Sequence, residues 1–314
     1  MAILNSLEVC LEDGFIYAIL AMGFYITFSI LDFPDLSVEG TVLTGGVVFA
    51  VLSEKGVNPY IAMLLAFAAG CLAGSVTGIL HVKLGIRPLL CGILVSTGLI
   101  TVNLIGAVVG NGGSFTGDGA LTNVTISRAS PTVYRVIPFS WLPESAGQIN
   151  LRKLAAFFVA AVIVKLLLDA YLKTKSGLLL FATGNNEQFT TMLAKNPGSS
   201  KILGLALGNG LAALSGSLIA QSRGNANQGM GIGMVVIGLA SVIIGLSVFG
   251  KIRFLKPTTM VIIGSVIYQA CLGVASVLGV PSAYNKLIMA VLFTLALVLS
   301  GKLNVKKSGG EERA

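Results

Sequence analysis

Charged residues are scarce in this chain and make up only 11% of its 314 residues. A soluble globular domain carries about a quarter charged residues. A soluble fold of this length would therefore lack the polar surface that it needs, so the sequence excludes that class of protein.

The charges that are present are unevenly divided, with 21 Lys and Arg against 13 Asp and Glu, and the net charge is +8. A basic chain can bind nucleic acid, but proteins that do so carry a basic domain with interleaved aromatic residues. This chain has no such domain, and we expect no nucleic-acid partner.

Histidine and cysteine are also rare. The single histidine, His81, stands at the end of an apolar stretch, which argues against a Ser-His-Asp centre or a dense set of metal ligands. Of the four cysteines, Cys71, Cys91 and Cys271 lie within apolar stretches, where cysteine behaves as a small hydrophobic residue. We expect neither an enzyme active site nor a metal or cofactor bound by this chain.

A nucleotide-binding motif is nearly present but incomplete. Residues 245–251 read Gly-Leu-Ser-Val-Phe-Gly-Lys, which is close to a P-loop, yet Ile252 stands where a hydroxyl residue must contact Mg²⁺. The segment also continues an apolar stretch instead of following a strand. Any ATP that powers this protein, with its Mg²⁺, is therefore expected to bind another subunit.

Apolar residues, by contrast, make up 54% of the chain and occur in blocks long enough to cross a bilayer, which takes roughly 20 residues in a helix. They predict an all-α polytopic membrane protein with about nine membrane segments, one of them a broken helix. Residues 1–303 then form a single transmembrane domain, and residues 304–314 a cytoplasmic tail. The predicted segments are Gly14–Leu31, Leu36–Leu52, Tyr60–Leu80, Leu89–Val109, Leu154–Leu172, Ile202–Gln221, Ile232–Phe249, Thr258–Leu278 and Leu287–Leu299.

The basic residues predict the orientation in the bilayer. If residues 174–200 are cytoplasmic and each segment crosses once, more than half of the Lys and Arg residues fall on the inner side, as the positive-inside rule requires. The N-terminus, with Glu8, Glu12 and Asp13, then lies outside and the C-terminus lies in the cytoplasm.

A polar segment, residues 182–197, interrupts the apolar blocks. Asn185 or Asn186 can cap a helix, and Pro197 with the residue before it ends one, which predicts a short helix over Glu187–Lys195. The apolar residues of this helix, Phe189, Met192 and Leu193, fall on one side. Two interpretations stay open: a helix lying on the lipid surface, or a projection that fits a groove in a soluble partner.

Polar residues within apolar segments are candidates for lining a translocation path, because hydrocarbon does not tolerate them. Pro34 predicts a helix break beside three of them. For the two asparagines, hydrogen bonding between helices is at least an equal alternative, and for the two carboxylates a hydrated position near the inner interface is another. The candidates are Asp35, Ser37, Glu39, Asn103 and Asn209.

Two further features have more than one interpretation. The long outer segment 110–150 can dock an external partner or close the outer face of the protein. Gly70, Gly74 and Gly78 share one helix face, and residues 204–216 repeat this stripe of small residues. Such stripes permit close helix approach, and packing within one subunit is favoured over a seam that rearranges.

The order of these elements resembles the permease subunits of bacterial ABC importers of the branched-chain amino acid and ribose type. Asp35-Leu-Ser-Val followed by Glu-Gly40 is similar to that family's Asp-Leu-Ser-Val-Gly stretch at the break in an early helix. The resemblance covers roughly residues 14–301. The other matching stretches are 70–78 with its following turn 83–88, 177–187, 214–218 and 237–250.

Two departures from the family pattern refine the resemblance. Residues 248–252 lack the Gly-rich turn of many sugar permeases, and an extra N-terminal span of ribose-type members is absent. Residues 31–40 look most like a subgroup assigned to tryptophan or tyrosine uptake. The resemblance thus favours an amino acid as the solute, and this subgroup points to an aromatic one.

The resemblance implies a location and partners. It implies a multi-pass protein of the bacterial plasma membrane, a second permease copy, an external solute-binding lipoprotein and a separate ATPase subunit. It also implies that the segment around 174–200 carries the coupling helix, which inserts into the ATPase. The coupling residues are then Gly184, Asn185, Asn186, Glu187, Phe189, Met192 and Leu193.

An ion-coupled secondary transporter is the alternative. Such a carrier needs a carboxylate buried near the middle of the membrane, often on a broken helix. Asp35 and Glu39 are the candidates, but both stand near the end of a predicted segment.

Overall fold

The structure is a computed structural model, and it describes residues 2–110, 123–127, 130–136, 150–192, 196–250, 252, 254–277, 284, 287–296 and 298. The described part is almost entirely helical. Its helices are α1 (Ala2–Phe24, continued by a π-helical turn over Tyr25–Ile30), α2 (Val38–Glu54), α3 (Pro59–Leu84), α4 (Pro88–Gly110), α5 (Leu151–Leu172), α6 (Lys175–Asn185), α7 (Glu187–Met192), α8 (Pro197–Arg223), α9 (Met234–Phe249), α10 (Pro257–Val277) and α11 (Leu287–Ala296). Two short strands, β1 (Asn123–Thr125) and β2 (Asn225–Asn227), complete it.

Seven helices in the described ranges are long and apolar enough to cross a membrane. They are α1 with its π-helical turn, α3, α4, α5, α8, α9 together with the residues just before it, and α10. The other two predicted segments, α2 with 17 residues and α11 over Leu287–Ala296, are helical but shorter. The predicted all-α polytopic membrane fold is confirmed.

Helices α1 and α8 form the centre of the bundle. About 72% of the most apolar stretch of each helix is buried inside the protein, compared with 22% for α4. Small residues allow this packing: a β-carbon on Gly23 would lie 2.6 Å from the carbonyl oxygen of Gly208, and one on Gly45 would overlap the backbone of Ala213. The helices therefore approach with their backbones nearly in contact.

The predicted glycine stripe of α3 packs within this chain. A β-carbon on Gly70 would lie 2.5 Å from the carbonyl oxygen of Asn209, and one on Gly78 would lie 2.8 Å from the α-carbon of Ile202. Gly74, between them, faces the carbonyl group of Leu205. The stripe thus holds α3 against α8, antiparallel to it, as the favoured interpretation states.

The outer segment is joined to the rest of the chain by a two-stranded ribbon, in which β1 pairs antiparallel with β2. Glu54 at the end of α2 accepts hydrogen bonds from the backbone N–H of Ser127 and the hydroxyl of Ser130. Gln221 in α8 accepts one from the backbone N–H of Val133. The described parts of segment 110–150 are therefore fixed to α2 and α8.

At the other end of the bundle, α5 is followed almost directly by α6, which begins at Lys175 and contains Gly177. Thr174 caps this helix by accepting a hydrogen bond from Gly177 N–H. Gly177 then packs on the backbone of Leu172, where no side chain would fit. The glycine serves a close contact between α5 and α6.

Helix α5 carries an ion pair between Lys165 and Asp169 that belongs to a larger cluster. Asp169 lies 3.6 Å from Lys165 Nζ and 3.0 Å from Lys256 Nζ, and it accepts a hydrogen bond of 2.6 Å from the Thr258 hydroxyl. The cluster therefore ties the end of α5 to the start of α10.

Candidate translocation and coupling sites

The predicted helix break after Pro34 is confirmed. The π-helical turn ends at Ile30, and Asp32 adopts a left-handed backbone conformation with φ of 52°. Pro34 cannot donate a backbone hydrogen bond, and α2 begins only at Val38. The seven residues 31–37 therefore form a non-helical link inside the bundle.

Asp35 lies in this link and is buried, with 2% of its surface exposed. Its Oδ1 accepts hydrogen bonds from the Ser37 backbone N–H at 2.8 Å and from the Ser37 hydroxyl at 2.6 Å. Its Oδ2 accepts one from Asn209 Nδ2 at 2.6 Å. Both carboxylate oxygens are thus engaged within the protein, as buried charge requires.

Asn209 extends this network across three helices. Its Oδ1 accepts hydrogen bonds from the hydroxyls of Ser37 and Thr41, and the Thr77 hydroxyl donates to that of Ser37. The Nδ2 group of Asn209 also donates to the carbonyl oxygen of Leu205, one turn earlier in α8. The network therefore joins α2, α3 and α8 around the helix break.

The burial of Asp35 contradicts the alternative that its carboxylate is hydrated near the inner interface. Asn209, to which Asp35 bonds, stands about 18 Å from the first residue of the 27-residue helix α8. The following residues Leu36 and Ser37 pack on Gly92, in the first turns of α4. Asp35 is therefore enclosed by protein although it lies within a few turns of the start of α4.

Asn103 and Glu39 lie on the other side of α2. Asn103 is 3% exposed, and its Nδ2 donates to the carbonyl oxygen of Gly40 at 3.1 Å. Glu39 is half-buried, and its Oε1 accepts a hydrogen bond of 3.0 Å from the backbone N–H of Gly233, which precedes α9. Glu39 thus links the start of α2 to the start of α9.

The five predicted path residues fall into two groups. Asp35, Ser37, Asn103 and Asn209 are buried and bonded between helices, as the structural alternative for the asparagines states. Glu39 alone among them is partly exposed. A role in lining the path stays a prediction for all five.

Sequence reasoning missed Thr41, Thr77 and Gly233 as partners of these residues. Threonine is common within apolar helices, where its hydroxyl bonds the preceding turn, and both threonines also do so. Only the four-residue spacing of Ser37 and Thr41 could have indicated a shared contact, because it places both residues on one helix face. No local pattern pointed to Gly233.

The coupling segment is described in part. Helix α7 begins at Glu187, immediately after Asn186, which agrees with the predicted start. Asn185 and Asn186 are exposed, and the backbones of Glu187, Phe189 and Met192 lie in α7. Leu193 lies outside the described residues, and the end predicted at Lys195 does too.

Gly184, the first predicted coupling residue, contacts the chain itself. Its α-carbon packs on the backbone carbonyl of Ile30 and on Leu31, so that no β-carbon would fit. Leu180, one turn earlier in α6, is fully buried and lies beside Gly204 of α8. Helix α6 is therefore seated on the π-helical turn that precedes the break.

Comparison with known proteins agrees with this architecture. The family model described as "Branched-chain amino acid transport system / permease component" matches residues 6–299. The chain is 41% identical to the tyrosine transport system permease protein of Clostridioides difficile (strain R20291), over 94% of this chain and 91% of that protein. It is 25% identical to the ribose import permease protein of Escherichia coli (strain K12), over 95% of this chain and 86% of the relative. No solved structure matches the chain.

The family match covers nearly the whole chain, including the helix break, the buried polar network and the α6–α7 segment. This family membership, rather than the position of Asp35, excludes the alternative of an ion-coupled secondary transporter. This chain belongs to the family of branched-chain amino acid transport system permease components, and it is the permease component of an ABC-type transporter.

Proposed function

We propose that this chain forms the translocation path of an ATP-driven importer that takes an amino acid, tyrosine or a related aromatic one, across the bacterial plasma membrane. The observation that carries the proposal is the 41% identity to a tyrosine transport system permease along nearly the whole of both chains. An external binding protein selects and delivers the solute, and two copies of the permease enclose the path. The N-terminus lies outside and the C-terminus in the cytoplasm.

A separate ATPase supplies the energy through the α6–α7 segment. This segment lies at the opposite end of the bundle from the β1–β2 ribbon, and it projects the exposed residues Asn185 and Asn186. ATP and Mg²⁺ bind to that subunit. Closure of the ATPase pair moves α7, and α6 carries the movement to the π-helical turn through Gly184 and Leu180.

The substrate is tested by reconstituting the permease with its ATPase and binding protein in liposomes. ATP turnover is then measured with each amino acid in turn. We expect stimulation by tyrosine or another aromatic amino acid, with uptake of the same solute. Stimulation by ribose and by no amino acid contradicts the assignment.

The coupling role is tested by Glu187→Ala and by Leu193→Asp, the latter at a position outside the described residues. Both variants should insert in the membrane yet show ATP turnover that is no longer matched by uptake. Lys175→Ala, at the start of α6 and away from α7, is the matched control. Normal uptake by both test variants contradicts the placement of the coupling segment.

A further inference from the structure

We propose that Glu39 binds the ammonium group of the amino acid as it crosses the membrane. This inference rests on the proposed function, because an amino acid carries a positive ammonium group at neutral pH whereas a sugar does not. It deepens that function by assigning one side chain of the path to one group of the solute.

The depth of Glu39 follows from the contacts of the residue beside it. Gly40 packs on Ser96, and its carbonyl oxygen accepts a hydrogen bond from Asn103. Both of these partners lie in the middle third of α4. Glu39 is therefore a carboxylate at the mid-height of a membrane-spanning helix.

One oxygen of Glu39 is free to bind a ligand. Oε1 accepts a hydrogen bond from Gly233 N–H, while Oε2 has no hydrogen-bond partner among the residues that the structure describes. The side chain is half-buried rather than enclosed. Asp35 differs in both respects, since both of its oxygens are bonded and its side chain is buried.

The surface around Glu39 contains further polar groups. Ser96 of α4 is half-buried beside Gly40, and the exposed Gln228 lies near Asn103 in a groove between α2 and α4. A carboxylate at this depth is costly against hydrocarbon, and such groups face the interior of a bundle or a water-filled cavity. In this proposal the exposed part of Glu39 faces the translocation path. The ammonium of a passing solute is the complementary group.

A structural role offers the competing account, because Glu39 also caps the start of α9. Two substitutions separate the two roles. Glu39→Gln keeps an oxygen at the position of Oε1 but removes the charge, whereas Glu39→Asp keeps the charge but shortens the reach to Gly233. Charge recognition predicts that Asp retains more uptake than Gln, and capping predicts the reverse order.

The experiment measures ATP-driven amino-acid uptake in liposomes that contain the permease, its ATPase and its binding protein. We expect Glu39→Gln to lower uptake about tenfold, the usual effect of losing one charged hydrogen bond. Stimulation of ATP turnover by the loaded binding protein should persist. Glu54→Gln, at the other end of α2, is the control, since it keeps its acceptor oxygen for Ser127 and Ser130.

The outcomes distinguish this inference from the function on which it rests. Uptake by Glu39→Gln at the level of the unmodified protein, or greater loss in Glu39→Asp, overturns the role of Glu39 and leaves the importer intact. Absence of ATP-dependent amino-acid uptake by the unmodified complex overturns the proposed function itself.

Discussion

Gly184 in α6 packs its α-carbon directly on the backbone carbonyl of Ile30, the last residue of the π-helical turn in α1. This contact joins the segment predicted to meet the ATPase to the chain that leads, five residues later, to Asp35. Asp35 in turn bonds to Asn209 in the central helix α8. A displacement of α6 therefore reaches the helix break through backbone contact, without a flexible side chain between them.

Gly184→Ala tests this contact. The added methyl group overlaps the carbonyl of Ile30, and such overpacking costs about 1–3 kcal/mol. We expect ATP turnover to continue while uptake falls, because α6 no longer seats on the π-helical turn. Gly98→Ala in α4 is the control, since a β-carbon there meets no neighbouring atom within 4 Å. Equal uptake by the two variants contradicts a role for the contact in coupling.

Exchanging Asp35 and Asn209 tests the buried network. Asp35→Asn replaces one carboxylate oxygen, which accepts hydrogen bonds, with an NH₂ group, which donates them. This NH₂ group then faces another donor, either Asn209 Nδ2 or the N–H and hydroxyl groups of Ser37. A buried group left without a partner costs about 1–3 kcal/mol. The second substitution, Asn209→Asp, restores an acceptor opposite the new donor.

The exchanged double variant should therefore recover part of the stability, although the Leu205 carbonyl loses the hydrogen bond from the Asn209 side chain. The measurement is the midpoint of thermal unfolding in detergent for both single variants and the double variant. A double variant whose loss equals the sum of the two single losses shows no coupling between these residues and refutes the network.

Gly74→Ala tests whether the glycine stripe of α3 is internal packing. The new methyl group overlaps the backbone at Leu205 and lies 2.8 Å from the β-carbon of Asn209. We expect a loss of about 1–3 kcal/mol in the free energy of unfolding of the isolated subunit. If stability falls only when two subunits are associated, the stripe lies at a subunit seam instead.

Two substitutions of Asp169, to Asn and to Ala, test the link between α5 and α10. Asp169→Asn removes the ion pairs with Lys165 and Lys256 but still accepts from the Thr258 hydroxyl, so a loss below about 1 kcal/mol is expected. Asp169→Ala also leaves the buried Thr258 hydroxyl unpaired and should cost about 1–3 kcal/mol. Thermal unfolding at low and high salt checks this order. High salt should reduce the stability loss of the Asn variant, because salt screens the ion pairs that this variant lacks. Equal stability losses in the Asn and Ala variants contradict the prediction.

The helices were predictable because a bilayer demands long apolar blocks, and each predicted block is helical over its described residues except for one or two at an end. The break at Pro34 was predictable for an equally local reason. Helix α6 was not predicted as a separate element, and Gly177 within it is needed for the close contact with Leu172. Local patterns do not distinguish a glycine in a turn from one in a tight helix contact.

Sequence reasoning predicted which residues belong to the site but not how they contact one another. Polar residues in apolar blocks pointed to Asp35 and Asn209, but their bond joins positions far apart in the chain and depends on how α2 and α8 pack. The burial of Asp35 follows from the same packing. The partners of Glu39 and Gly184 are likewise set by tertiary contacts that no local pattern records.

Uptake by the purified permease, alone and together with its ATPase and binding protein, tests the central claim most directly. The claim is that this chain forms the path and receives energy from another subunit. We predict no net accumulation of amino acid in liposomes that contain the permease alone, and accumulation in the complete system only when ATP is available to the ATPase. Accumulation against a gradient by the permease alone would contradict the account.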